Sequence, residues 1–322
     1  MVCIPSSNLS KFSAKKGNSV CIFYTVGSDF RKGAVVMTGQ TFFARLSLEA
    51  IVMKEEIRII YSDIDGTLLD RNHRMMEKTE RAIRSLKEKG IPFVLASSRG
   101  EMAILPILRR YHLSCPMVSY GGALILDEGG TVLAEYPMDI NEVIRLLSFL
   151  EQQSLPVSYN VYDRYHWYVK DKNDPRIKTE EDIVEVEAEE GTIDDIRKMK
   201  FVDKVLLMVE TENILSVEQR LRIAFPHLSI MKSSGTLIEI NQSGISKAVG
   251  IRAFSEAKHY RLEESMAFGD NYNDVEMLSL VTYPVLMGNA PEALKQRGYE
   301  LTEDNNHDGI YFSLLHHGLI TQ

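Results

Sequence analysis

The sequence predicts an α/β fold: a three-layer α/β/α core around a parallel sheet, with an α+β cap domain inserted into it. Two observations lead to this prediction. Short apolar runs alternate with amphipathic helical segments, as they do in parallel β-α-β units. Several of these runs also end in acidic, hydroxyl or glycine residues, and open α/β sheets bind their ligands at that end of the strands.

The apolar run 57–60 predicts the first strand, and the segment 75–89 predicts a helix that ends at Gly90. The same alternation predicts the rest of the core. Its other elements are strands at 91–96, 117–119 and 265–268, helices at 102–110, 246–258 and 310–319, and a hairpin of 124–126 with 132–134. Because proline removes a backbone donor, Pro106 is expected to interrupt or bend its helix.

Residues 137–242 follow a different pattern and separate two parts of the core, 57–136 and 243–322. Strand patterns dominate here, which is typical of an α+β unit with helices on one face of a sheet. The predicted elements are helices at 141–153 and 212–224, an acidic helical or irregular stretch at 179–199, and strands at 156–160, 165–170, 203–209, 227–232 and 236–241. Aromatic residues between 159 and 168 are expected mainly to pack, with ligand contact as the alternative.

Two carboxylates stand at the end of the first strand. Asp63 and Asp65 flank Ile64, and Gly66 permits the sharp turn that directs both acids into one pocket. Two like charges so close repel each other unless a cation or a shared proton compensates them. Mg²⁺ prefers oxygen ligands and is commonly held by one or two carboxylates and a substrate phosphate, so the pair predicts a magnesium site. A solvated Asp-Gly turn is the alternative.

Groups suited to a phosphate follow the second strand and open a later helix. The second strand ends in Ser97, Ser98 and Arg99, and Lys247 lies at the start of the helix predicted at 246–258. Hydroxyls, backbone amides and these two cations suit the oxygens of a phosphate group. The two segments together predict an anion site beside the paired acids.

A second acidic strand end completes the predicted magnesium site. The strand at 265–268 runs into the segment 269–274, which contains Asp270, Asn273 and Asp274. Strands of a parallel sheet end at the same edge, so these groups are expected near the first pair of acids.

With these segments in this order, the chain resembles the haloacid dehalogenase-like phosphohydrolase superfamily, and more closely its Cof-like sugar-phosphatase subfamily with a large inserted cap. The resemblance covers about 57–322. The motif Asp-x-Asp-Gly-Thr-Leu stands at 63–68 and the motif Gly-Asp-x-x-Asn-Asp at 269–274. The subfamily's Met-Gly-Asn-Ala and Asp-Gly-Val elements look like 287–290 and 308–310. The resemblance implies a Rossmannoid core.

The chain departs from the subfamily pattern at two points. The usual Thr-Gly-Arg is Ser-Ser-Arg at 97–99, which keeps a hydroxyl and the arginine. The usual Asn-Gly-Ala loop is Gly-Gly-Ala at 121–123, which lacks the asparagine side chain. The second change removes a group on which a substrate assignment by resemblance would depend.

The resemblance implies a mechanism. Asp63 would form an aspartyl-phosphate, and Asp65 would protonate the leaving oxygen and then activate water. A protonated Asp65 near neutral pH needs a raised pKa, which burial and the charge of Asp63 are expected to supply. The implied phosphate-binding residues are Ser97, Ser98, Arg99, Lys247 and Asn273. The implied magnesium ligands are Asp63, Asp65 through its backbone carbonyl, Asp270 and Asp274. For Asp274 the alternative implied role is to support Lys247.

The resulting hypothesis is a magnesium-dependent phosphatase acting on small phosphorylated metabolites, either sugar phosphates or phosphorylated cofactors. Two alternatives stay open at this stage. One is a regulatory module that binds a phosphorylated ligand without useful turnover. The other is a phosphomutase that returns the phosphoryl group to a sugar. The leaving group and the oligomeric state are not predicted.

Composition argues against other classes of function. The formal net charge of −8 provides no basic field for nucleic acid. No uninterrupted apolar stretch is long enough to predict a membrane-spanning helix. The three cysteines form no Cys-x-x-Cys pair, which argues against a zinc site or a disulfide framework and favours a reducing cytoplasm.

The first 52 residues differ from the rest in charge. They carry six Lys and Arg against two acids, whereas the whole chain has an excess of acids. We expect this extension to be poorly ordered and dispensable for catalysis. Met53, just before the first strand, is a candidate natural start, and a native extension that serves in targeting is the alternative.

Overall fold

The computed structural model describes residues 12–16, 19–23 and 56–321. The chain divides into two units, Met1–Lys54 and Glu55–Gln322. In the first unit, strands β1 (Phe12–Lys16) and β2 (Ser19–Phe23) pair antiparallel. The other residues of the N-terminal extension lie outside the described residues, so its expected lack of order and of catalytic role stay predictions.

The second unit contains the predicted alternation of strands and helices. Its first part comprises β3 (Ile59–Ser62), α1 (Glu77–Glu88), β4 (Phe93–Ala96), α2 (Glu101–Arg110), β5 (Met117–Ser119), β6 (Leu124–Leu126) and β7 (Val132–Glu135). The middle part comprises α3 (Ile140–Gln152), β8 (Val157–Tyr162), β9 (Trp167–Val169), α4 (Pro175–Val184), β10 (Glu189–Glu190), α5 (Ile193–Ile196), β11 (Lys204–Val209), α6 (Ile214–Ala224), β12 (Ser229–Lys232) and β13 (Leu237–Asn241). The last part comprises α7 (Lys247–Lys258), β14 (Ser265–Gly269), α8 (Val275–Leu280), β15 (Tyr283–Leu286), α9 (Glu292–Lys295), β16 (Glu300–Leu301) and α10 (Gly309–His316).

The larger sheet has eight strands in the order β16-β15-β14-β3-β4-β5-β6-β7. From β16 to β5 neighbouring strands are parallel, and β6 and β7 extend the sheet antiparallel. The strands β14, β3 and β4 are therefore adjacent and end at the same edge. This places the acidic and hydroxyl segments that follow them side by side.

Helices cover both faces of this sheet because successive strand residues point to opposite sides. Ile60 packs in one apolar cluster with Leu86 of α1. Tyr61 packs on the other side against Phe254 of α7, with the ring planes at 88°. The Tyr61 hydroxyl lies 2.6 Å from Ser255 Oγ, which satisfies this buried polar group. The three-layer α/β/α core follows from this alternation.

Six strands of the middle part form a second sheet, in the order β10-β9-β8-β11-β13-β12. Val205 of β11 packs with Leu147 of α3 on one face. Leu206 packs on the opposite face with Ile177 of α4 and Ala103 of the core helix α2. The expectation of helices on one face only is therefore wrong for α4, because β11 is apolar and buried on both faces.

Polar contacts also join the middle part to the core. Tyr120 Oη donates to the Asp163 carbonyl at 2.7 Å. The two ion pairs of this junction are Arg164 with Glu101 and Arg110 with Glu185. Both ion pairs join the middle part of the chain to α2.

Pro106 lies inside α2, which continues from Glu101 to Arg110, so the expected interruption is wrong and the alternative of a bend stays a prediction. One helix boundary also differs from the expectation. The stretch expected at 179–199 begins earlier, because Pro175 occupies the first turn of α4 and the Asp174 side chain accepts from the Arg176 N–H. Among the described residues, no helix has the length and apolar character needed to cross a membrane.

Candidate active site

The carboxyl ends of β3, β4 and β14 border a cavity of about 370 Å³. Asp63 and Asp65 line it after β3, and Arg99 lines it after β4. Side chains from the middle part of the chain, including Lys204 and Glu180, form the opposite wall. The cavity thus lies between the two sheets, where the sequence predicted the phosphate and metal site.

A buried lysine joins two of the predicted acids. Lys247 Nζ lies 2.6 Å from Asp63 Oδ1 and 2.7 Å from Asp274 Oδ1. All three side chains are buried. The flanking carboxylates offset the cost of burying the ammonium and raise the pKa of Lys247, so it stays charged.

Asp274 is held in place by the backbone as well as by the lysine. Its Oδ2 accepts from the N–H groups of Asp270 and Asn271 at 3.0 Å and 3.1 Å. Both oxygens of Asp274 therefore have partners within the protein. This arrangement holds the carboxylate in place between Lys247 and the 269–274 turn.

Asp270 is placed by residues of the first motif. Thr67 Oγ1 donates to Asp270 Oδ1 at 2.8 Å, and Asn289 Nδ2 lies 3.3 Å from Asp270 Oδ2. Gly66 has φ +83° and an added Cβ would lie 2.5 Å from Asp270 Oδ2. The glycine is therefore needed both for the turn and for the close approach of this carboxylate.

The donor set fits a hard divalent cation. Asp63, Asp270 and Asp274 each offer a carboxylate oxygen, and these atoms lie within 4.8 Å of one another. Burial, with the charge of Asp274 next, raises the pKa of Asp63 well above its usual value, although Lys247 opposes this. The same two causes raise the pKa of Asp270 to about 6. Carboxylates this close repel one another when they are charged, so they are suited to bind an oxygen-preferring ion such as Mg²⁺.

Asp65 differs from the expectation. Arg99 binds it with two hydrogen bonds of 2.7 Å, and His73 Nδ1 lies 3.7 Å from its Oδ1. Removal from water raises the pKa of Asp65, but the nearby His73 and the hydrogen bonds and charge of Arg99 outweigh this effect and hold the pKa well below its usual value. The expected raised pKa is therefore wrong, because the sequence did not reveal the proximity of His73 or the pairing with Arg99.

The predicted phosphate loop lies along the same cavity. Ser97 is buried, and its Oγ accepts from the Arg99 N–H at 3.1 Å. Ser98 and Asn273 line the cavity as well. The residues brought together around it are Asp63, Asp65, Ser97, Ser98, Arg99 and Asn273, with Lys247, Asp270 and Asp274 in contact behind them.

Sequence reasoning did not single out several residues of the site. Thr67 and Asn289 belonged to motifs that were recognised, so their positions carried a signal. His73, Glu180 and Lys204 belong to no motif and reach the cavity only through the tertiary fold. Nothing in the local sequence distinguishes these three from ordinary surface or strand residues.

Known proteins resemble the chain along most of its length. A family model of haloacid dehalogenase-like hydrolases matches residues 60–314. A protein of Haemophilus influenzae named "Putative phosphatase" is 29% identical over 79% of this chain and 95% of its own. The 5-amino-6-(5-phospho-D-ribitylamino)uracil phosphatase YitU of Bacillus subtilis is 28% identical over 81% of this chain and all of its own.

A solved structure of a subclass IIB sugar phosphatase, BT4131, superposes with a TM-score of 0.72 at 25% identity. The match covers 82% of this chain and 100% of the other. It confirms the α/β fold class predicted from the sequence.

Proposed function

The chain belongs to the haloacid dehalogenase-like hydrolase family, and we propose that it is a phosphatase that acts with magnesium on small phosphorylated metabolites. One observation carries this proposal: the Asp63 carboxylate faces the cavity beside a buried lysine and a second buried acid. Its Oδ1 lies 2.6 Å from Lys247 Nζ, and Asp270 belongs to the same cluster of carboxylates. The proposed nucleophile Asp63, the cation Lys247 and the proposed metal ligand Asp270 therefore belong to one cluster of side chains.

Asp63 is the proposed nucleophile. Its N–H donates to the Phe268 carbonyl at 3.0 Å, which fixes it against β14. A carboxylate oxygen of Asp63 attacks the phosphorus atom, and the bond from phosphorus to the leaving oxygen breaks. Water then attacks the aspartyl-phosphate, which releases inorganic phosphate and restores the Asp63 carboxylate. Lys247 compensates charge on the phosphoryl group during both displacements.

Asp65 is the proposed acid and base, and its pairing with Arg99 suggests how it becomes available. Guanidinium groups bind phosphate with the same two-pronged geometry that binds a carboxylate. A phosphate monoester that enters the cavity therefore competes with Asp65 for Arg99. Release of Asp65 removes two hydrogen bonds that lower its pKa, so that it can give a proton to the leaving oxygen and later take one from water.

Asp63 and Asp270, with the Asp65 backbone carbonyl, are the proposed magnesium ligands, and Asp274 is proposed to position Lys247. Magnesium, when bound, would neutralise the negative charge that gathers as the phosphate approaches Asp63. Thr67 Oγ1 donates to Asp270 and orients it. Ser97, Ser98 and Asn273 line the cavity and are proposed to contact the phosphoryl oxygens.

We propose sugar phosphates or phosphorylated cofactors as substrates, with residues 137–242 as a cap over a core of 57–136 and 243–322. Two relatives support the choice: one is named a sugar phosphatase, and the other acts on a phosphorylated ribitylamino compound. The contacts of the second sheet with α2 support the cap. The cysteine composition favours the cytoplasm as the location of the protein.

Phosphate release from a panel of phosphorylated sugars and cofactors tests the proposal. We expect magnesium-dependent release by the full chain and by a chain that starts at Met53. Asp63→Asn should abolish turnover without loss of the fold, because the amide and the carboxylate are nearly isosteric. Release by the Asp63→Asn variant would overturn the mechanism. Phosphorylated isomers in place of free phosphate would indicate a phosphomutase, and the absence of any turnover would favour a binding module.

A further inference from the structure

The wall of the cavity that belongs to residues 137–242 contains a buried cation. Lys204, the first residue of β11, is 6% exposed, and its Nζ donates to the Ser98 carbonyl at 2.7 Å. The same nitrogen lies 5.3 Å from the centre of the Tyr162 ring. Within residues 56–321, no carboxylate forms an ion pair with Lys204. It therefore differs from Arg99 and Lys247, each of which binds a carboxylate.

The ammonium group of Lys204 has donors to spare. A lysine carries three N–H donors, and one backbone carbonyl accepts from it here. Leaving a buried charged donor without an acceptor costs free energy. Since Lys204 lines the cavity, an acceptor on a bound molecule can meet this need.

An acid faces the same space without a partner. Glu180 of α4 lines the cavity and forms no hydrogen bond or ion pair within the described part of the chain. Burial raises the pKa of Glu180, while the nearby charges of Arg99 and Lys204 oppose this effect. Glu239 of β13 lines the cavity too. The part of the cavity wall that comes from residues 137–242 thus presents one ammonium and two carboxyl groups.

These groups favour one class of leaving group. Hydroxyl groups can accept from Lys204 and donate to Glu180, whereas a second phosphate or a carboxylate would meet more negative than positive charge. Tyr162 and Trp167 stack with ring centres 5.6 Å apart and also line the cavity, which gives an apolar surface for carbon-bound hydrogens. We propose that Lys204 and Glu180 bind the leaving group and select uncharged sugar or polyol monophosphates over substrates with a second anionic group.

This inference rests on the proposed phosphatase activity, and its test separates the two. We would measure kcat/KM for a hexose 6-phosphate, a hexose bisphosphate and p-nitrophenyl phosphate, whose leaving group carries no alcohol hydroxyls. The wild type should prefer the hexose monophosphate to the bisphosphate. Lys204→Met should lower kcat/KM for the hexose monophosphate by at least about tenfold, the value of a charged hydrogen bond. The loss with p-nitrophenyl phosphate should be several times smaller.

Glu180→Gln provides a second measurement, since removing one negative charge should raise the ratio of bisphosphate to monophosphate activity. The matched control is Lys198→Met, which removes an exposed lysine of the same segment and should change none of these values. Thermal unfolding verifies that each variant folds. If Lys204→Met does not fold, the ratio of bisphosphate to monophosphate activity in Glu180→Gln tests the inference alone.

Equal losses with hexose phosphate and p-nitrophenyl phosphate would overturn the inference and assign Lys204 to support of the Ser98 loop. So would an unchanged ratio in Glu180→Gln. If the wild type releases phosphate from phosphorylated cofactors but from none of these three esters, the inference fails and the proposed function stands. Release from none of these esters and from no cofactor would overturn both.

Discussion

Replacing Asp203 with asparagine tests the effect of a buried carboxyl group that has no partner. Its side chain is 0% exposed, and neither carboxyl oxygen has a hydrogen-bond partner within the described residues. The backbone of Asp203 is well bonded: its N–H donates to the Tyr162 carbonyl at 2.8 Å, and its carbonyl accepts from Asn241 Nδ2 at 3.0 Å. Burial, with the charges of Glu135 and Asp163, raises the pKa of Asp203 from 3.8 to about 8.

The raised pKa means that folding favours the protonated form. The stability gained from protonation is fully present below pH 3.8 and is lost as the pH rises through about 8. The free energy of unfolding therefore falls by at most about 1.4 kcal/mol for each pH unit in this interval. We expect a total of roughly 2–4 kcal/mol, because local relaxation and water entry reduce the cost of a buried charge.

Urea unfolding of the wild type and of Asp203→Asn between pH 5 and pH 9 measures this effect. The variant should gain stability relative to the wild type as the pH rises, and the difference should level off above about pH 8. Asp182→Asn, an exposed acid of α4, is the control and should show a constant difference. A difference between Asp203→Asn and the wild type that does not vary with pH would refute the reasoning.

Two further predictions concern the acidic cluster. Lys247→Met leaves Asp63 and Asp274 buried without their cation, so we expect urea unfolding to show a loss of about 3–5 kcal/mol, together with loss of phosphate release; wild-type stability would contradict this. Magnesium should raise the unfolding temperature of the wild type, because a ligand that binds only the folded state stabilises it. Asp270→Asn should abolish most of that increase in a thermal unfolding assay, and an undiminished increase would exclude Asp270 as a ligand.

The sequence predicted the residues that parallel strands bring to one edge. Asp63 and Asp270 follow adjacent strands, so their proximity depends only on the order β14-β3 and on where each strand ends. Lys247 was predicted at the start of a helix, and α7 does begin there. Local sequence patterns are enough to predict that such residues lie close together, because the ends of adjacent parallel strands lie side by side in the sheet.

Other features could not be predicted because they depend on contacts between side chains that lie far apart in the sequence. The pKa of Asp65 is lowered by His73, which belongs to no motif, and by Arg99, which follows a different strand and was predicted to bind phosphate alone. Lys204 opens an apolar strand, and Glu180 lies in an acidic stretch that is typical of a solvated surface. Only the packing of the second sheet on α2 places these two residues in the cavity.

The cations of the cavity divide into two kinds. Arg99 binds Asp65 and Lys247 binds Asp63, two carboxylates that the proposed chemistry needs. In the proposed mechanism a phosphate group competes with Asp65 for Arg99, so that binding of the phosphate and release of Asp65 are the same exchange. Lys204 binds a backbone carbonyl instead, and a leaving group can take its free donors without disturbing any carboxylate. Under the proposed function, substitutions in the second sheet would change the leaving group that is accepted while the residues proposed for the chemistry stay the same.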